Sequence, residues 1–217
     1  LSVKIDTFFR APTEGQRNGP VSVLYLLRRE VQDCLIGTVI TEDRVLAHQN
    51  RKRLFASAML IFTGVDLLAK FAAGDDRPGG VRARFVAFLM RFGRNRPRRE
   101  EPCRQLTESE AHALYRFRNG LMHSFGMYTE DKGGTIVGMT LFQSDQPCPV
   151  VQQREDGTWE LSIDDLYEMF FKAILGYREA LSTDPVLPDK FGRMFDSYGT
   201  IFSNTLGGRP PDASEAP

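Results

Sequence analysis

Cysteine, histidine and tryptophan are all scarce in this chain, and net charge is absent altogether. The three cysteines, Cys34, Cys103 and Cys148, are an odd number at wide spacing. They compose neither a disulfide framework nor a zinc pattern, which points to a reducing cytoplasm. Among the three histidines, His48 lacks a metal-ligating partner at i+3 or i+4. With 28 basic and 28 acidic residues, no overall field steers the protein towards nucleic acid or a membrane, so any charge argument must be local. The opening "LSVKIDTFFR" does not have the positive-then-apolar order of a signal peptide. The longest apolar stretch, "FASAMLIFTGVDLLAKFAAG", is interrupted by Asp66 and Lys70 and reads as too short and too polar for a membrane span. A soluble protein with no membrane partner is expected. No P-loop, dinucleotide fingerprint, nucleophile elbow or internal repeat occurs.

What is present suits one globular domain: 217 residues, 41% hydrophobic and 26% charged. Arginine outnumbers lysine 22 to 6, a bias that a GC-rich genome and phosphate recognition would both produce.

Residues 1–20, with Pro12, Gly15, Gly19 and Pro20, read as a loop or extended arm. Helical spacing of Val23, Leu27, Val31, Cys34 and Leu35 predicts a first helix over 21–40. Thr41, followed by Glu42 and Asp43, is the expected N-cap of a second helix running to Ala73, apolar nearly all round in its second half. After the break "GDDRPGG", a third helix places Val81, Phe85, Phe88, Leu89 and Phe92 on one face. A polar loop follows, and Thr107 with Glu110 forms a capping box that opens a fourth helix, expected to span 107–127.

Beyond Tyr128 the period changes. The segments "GTIVGMTLF", "PVVQQR" and "TWELSI" predict a small antiparallel meander at about 134–163, with an Asp156-Gly157 turn. Ser162 caps a fifth helix bearing Leu166, Phe170, Ala173, Ile174, Tyr177 and Leu181. A final helix is expected at about 189–203, and the domain as a whole at 21–204. The tail 205–217 has the composition of a disordered segment.

The fourth helix carries the polar residues of interest. At about 100° per residue, Leu114, Phe117, Leu121 and Phe125 share a core-facing arc. His112, Arg116, Asn119 and His123 fall together on the opposite side. A plain solvated face explains such a stripe in most helices. Two features argue for more: Gly120 costs about 1 kcal/mol relative to alanine in mid-helix, and histidine and asparagine are poor choices where only solubility is needed. Arg118 projects at the margin of the apolar face, where a guanidinium requires an acidic or carbonyl partner. Asp66 is open to two readings: an i, i+4 pair with Lys70, or a partner that fixes the direction of Arg118.

Arg118-Asn119-Gly-Leu-Met-His123 resembles the R-x4-H motif of the HEPN superfamily, small helical-bundle proteins of prokaryotic toxin and defence systems. The resemblance covers about 45–128 and the helix at 163–181. It implies a mostly α, HEPN-like bundle with the meander inserted between its fourth and fifth helices. It further implies a homodimer whose two motifs meet in one cleft, RNA as a partner, and no metal or cofactor. The toxin members make an antitoxin-like protein a further candidate partner.

The residue types fit that chemistry. Histidine exchanges protons near neutrality, and arginine stays charged and matches phosphate oxygens. On a regular helix, Arg118 and His123 would point about 140° apart. Two copies across a two-fold axis would serve one phosphate better than one copy.

The expected roles are His123 as acid/base, Arg118 on phosphate, Asn119 orienting substrate, Arg116 and His112 binding it, and Asp66 behind Arg118. Between residues 82 and 104, eight arginines face Glu100 and Glu101, a local charge of +6. This segment reads equally as an RNA guide or as a solvated loop. The competing function is a non-catalytic HEPN-like module that acts through ligand binding or dimerisation.

Overall fold

A computed structural model describes residues 1–11, 20–36, 40–41, 44–45, 54–96, 101–124, 128–130, 136–144 and 146–202. Its helices are α1 (Ser2–Phe8), α2 (Val23–Ile36), α3 (Leu54–Ala73), α4 (Val81–Phe92), α5 (Glu108–Asn119), α6 (Ile163–Thr183) and α7 (Leu187–Tyr198). Short strands stand between and beside them. These are β1 (Pro20–Ser22), β2 (Ile40–Thr41), β3 (Arg44–Val45), β4 (Arg94–Asn95), β5 (Arg104–Gln105), β6 (Tyr128–Glu130), β7 (Ile136–Phe142), β8 (Val151–Gln153), β9 (Trp159–Ser162) and β10 (Thr200–Phe202). The protein is mostly helical, with its main sheet inserted between α5 and α6.

The core follows from α3. Ala58, Ile61, Val65 and Leu68 are fully enclosed, and α2, α4, α6 and α7 pack around this helix. Full burial of a side chain such as Ile61, Val65 or Leu68 stabilises by about 1.5–3 kcal/mol. Gly64 sets how closely α6 approaches: a β-carbon there would lie 2.4 Å from the Phe170 ring. At one end of the bundle, Phe8, Phe71 and Phe191 interlock, with Phe8 stacked on Phe71 at 4.4 Å.

The expectation that α3 is too short and too polar for a membrane span needs correction. At 20 residues, with a mean hydropathy of 1.7 in its most apolar window, it is long and apolar enough to cross one. Half of that window is buried inside the protein, and Phe55 on the same helix is exposed. No other helix among the described residues passes that test.

Several boundaries also differ from expectation. Residues 2–8 are helical rather than an arm, because Phe8 and Phe9 are drawn into the aromatic core. The second predicted helix begins at Leu54, not Thr41; Ile40–Thr41 pairs antiparallel with Arg44–Val45. The last helix ends at Tyr198. Thr200–Phe202 pairs antiparallel with Pro20–Ser22, so the chain ends of the domain are tied together by backbone hydrogen bonds rather than by another helical turn.

The inserted sheet has the order β6-β7-β9-β8 and is mixed, not an antiparallel meander. β7 and β9 run parallel, whereas β6–β7 and β8–β9 are antiparallel. The Asp156-Gly157 turn is present, with Gly157 at φ 84°, a left-handed conformation suited to glycine. Parallel pairing arises because the segment between β7 and β8 crosses to the outer edge, leaving β9 to return beside β7. Residues 203–217, which include the predicted disordered tail, lie outside the described residues, as do Pro12, Gly15, Gly19 and His48.

Candidate functional site

Helix α5 starts as its sequence dictates. Thr107 Oγ1 accepts from the Glu110 amide, and the Glu110 carboxylate accepts from the Thr107 amide. Leu114, Phe117 and Leu121 are fully buried. The helix does not run to residue 127. It gives way at Gly120 to a π-turn, Gly120–Ser124, with Phe125 outside the described residues. A π-turn widens the helical step, so the regular-helix angle between Arg118 and His123 does not apply. His123 is carried on this turn, and its side chain lies outside the described residues.

Arg118 is held as the second reading of Asp66 anticipates. Its Nε donates to Asp66 Oδ2 at 2.8 Å, its Nη2 forms an ion pair with the same oxygen at 2.7 Å, and its Nη1 donates to Asn119 Oδ1 at 2.9 Å. Both partners of the ion pair are largely enclosed, at 15% and 17% side-chain exposure. Burial raises the Asp66 pKa above the ordinary aspartate value, and Arg118, Lys70 and Arg84 only partly oppose that shift. Lys70 does not pair with Asp66; its ammonium stands over the Tyr198 ring, 5.4 Å from the centroid.

His112 and Arg116 stand one turn apart on α5. His112 is half-buried, with Nε2 3.5 Å from Glu108 Oε1 and Nδ1 3.4 Å from Arg82 Nη2. Arg116 is also half-buried. Arg118 and Asn119 are therefore brought together with Asp66, whereas His112 sits one to two turns away beside Arg82.

The arginine-rich segment is not a uniform basic stripe. Arg84 is buried, Arg91 pairs with Asp184 at 2.8 Å, and Arg104 is bound by Glu110 at 2.7 Å. Arg94 and Arg104 lie on the paired strands β4 and β5, so the predicted loop is closed by a short hairpin. Arg98 and Arg99 lie outside the described residues.

Arg118 and Asp66 line a half-enclosed cavity of about 460 Å³ between α2, α3, α4 and α5. Its other charged wall residues are Lys70, Asp76 and Arg84. Val23, Leu27, Leu67, Val81 and Met122 supply apolar surface. Arg84 is the residue that sequence reasoning passed over. It donates to the Arg77 carbonyl at 2.7 Å, and its guanidinium lies where a β-carbon on Gly80 would sit only 2.6 Å away. Its spacing, i+3 from Val81 and i−4 from Phe88, already places it towards the buried face of α4.

Among the described residues no cluster of three metal-ligating side chains occurs. Compared with protein-family models, curated proteins and solved structures, the chain matches none.

Proposed function

We propose that this protein is a HEPN-like RNA-binding protein that cleaves RNA as a homodimer, using 2′-OH attack and no metal. The observation that supports this reading is the setting of the Arg118-Asn119-x3-His123 segment. Asp66 and Asn119 fix the Arg118 guanidinium, and the chain then enters a π-turn that carries His123, a distortion common at functional sites. His123 takes the 2′-OH proton or returns one to the leaving oxygen, and Arg118 stabilises charge on the phosphate.

The test is cleavage of a structured RNA by pure protein in EDTA. Products with 2′,3′-cyclic phosphate ends are expected, DNA should be untouched, and His123→Ala should lower the rate by about 10²–10⁴. Activity lost in EDTA and restored by magnesium would overturn the mechanism.

One observation favours the second reading, a non-catalytic HEPN-like ligand-binding module. Arg118 is paired within its own protomer and faces a cavity of about 460 Å³. Absence of cleavage by folded wild-type dimer would select it.

A further inference from the structure

The cations around the cavity are unequally neutralised. Arg118 has the Asp66 carboxylate in direct contact at 2.7 Å. Arg84, with a side chain only 7% exposed, has its nearest carboxylate, Asp75, at 3.7 Å. That carboxylate is engaged more closely by Arg77, at 3.0 and 3.1 Å, and Arg77 bonding is what lowers its pKa most. Among the described residues Lys70 has no carboxylate within 4 Å; an aromatic face is its neighbour. Asp76, the other acid on the wall, accepts from the Tyr198 hydroxyl. A buried cation without a close counter-charge is costly. Arg84 is buried with its nearest carboxylate 3.7 Å away, Lys70 is half-buried with none within 4 Å among the described residues, and both border one cavity whose remaining surface is mainly aliphatic.

We propose that this cavity binds a small amphipathic organic anion, its acidic head on Arg84 and Lys70 and its apolar body along Val23, Leu27 and Val81. The wall carries three cations and two acids, a surplus of +1, so a monoanion completes the charge balance. The volume of about 460 Å³ falls within the range of small-molecule sites. The site lies within one protomer, and the two residues proposed to hold the anion, Arg84 and Lys70, are not among those assigned to RNA cleavage. His123→Ala should lower the cleavage rate by about 10²–10⁴ and leave this binding intact.

The probe is 1-anilinonaphthalene-8-sulfonate, an aromatic monoanion that fluoresces in apolar surroundings, titrated into the folded full chain. Saturable binding at one dye per chain is expected, displaced by decanoate but not by decyltrimethylammonium, which has the same tail and the opposite charge. Lys70→Gln should weaken the dye by about tenfold through loss of one charged contact. Val81→Trp should fill the apolar wall and abolish binding while the thermal transition stays cooperative. Should Val81→Trp fail to fold, the Lys70→Gln comparison still decides. The proposal is overturned by any of three results: no saturable binding to folded wild type, equal displacement by the two amphiphiles, or an unchanged dye affinity in Lys70→Gln. Displacement by inorganic phosphate but not by decanoate also overturns it, because the apolar body would then contribute nothing.

Discussion

Asp66 and Arg118 form an ion pair in which the desolvation of the acid outweighs the attraction that opposes it. The Asp66 pKa is raised despite a hydrogen bond and an ion-pair contact from Arg118. The sign of its linkage follows. A carboxyl with a raised folded-state pKa favours folding most below its unfolded value of 3.8, and that increment is lost as pH rises through the folded-state pKa. Arg118→Ala leaves the acid enclosed and unpaired, at a cost of about 3 kcal/mol near neutrality. Because protonation relieves the buried charge, the cost should shrink as the solution is acidified. Denaturant unfolding of both single variants and of the Asp66→Asn/Arg118→Ala double variant, from pH 4 to 7, checks this. The double variant should recover part of the loss, and a pH-independent cost would remove the buried-charge account. Tyr177 gives the opposite case. Its hydroxyl is buried with no hydrogen-bond partner among the described residues, and burial pushes its pKa up. Tyr177→Phe removes an unsatisfied polar atom and should raise stability by about 1 kcal/mol, read as a higher denaturation midpoint with an unchanged slope.

At the scale of elements, one glutamate joins three pieces of backbone. Glu110 accepts from Arg104 on β5, from the Thr107 amide at the start of α5, and from Asn95 on β4. Asn95 is 1% exposed and reaches further, donating to the Val151 carbonyl and accepting from the Val150 amide. The arginine-bearing hairpin is thereby fastened to the inserted sheet. Asn95→Leu leaves the Val150 amide and Val151 carbonyl without their side-chain partner and should cost about 2–3 kcal/mol. Hydrogen exchange should report faster opening of the β8 and hairpin amides, while α3 stays protected; uniform loss across both would show that the sheet and bundle unfold together.

This network also marks where sequence reading succeeds and stops. The Thr107–Glu110 box, the Ser162 cap, the apolar faces of α4 and α6 and the Arg118 partner were legible, because each depends on spacing within a helix or on one buried charge demanding another. The parallel β7–β9 pairing was not, since strand order depends on contacts between segments that are distant in sequence. Nor was α1, whose helix depends on Phe8 and Phe9 entering a core built by α3 and α7. The π-turn escaped because the apolar periodicity through Leu121 continues across it.

For the whole molecule, the proposed chemistry depends on whether one chain or two complete the site. Net charge is zero, so the proposed association and RNA capture would rest on local groups rather than a global field. An isologous dimer presents each residue of the motif twice, and a composite site takes Arg118 from one protomer and His123 from the other. Variants inactive for different reasons then complement each other. His123→Ala removes the acid/base. Arg118→Lys keeps a cation opposite Asp66 but lacks the planar fork that grips phosphate. Mixed in equal amounts and allowed to exchange subunits, half the dimers are hybrids, and each hybrid holds one intact site of two. Activity should therefore return to about a quarter of the wild-type rate. Differently tagged chains allow hybrid formation to be measured alongside the rate. Hybrids that form and stay inactive would place the complete site within a single chain.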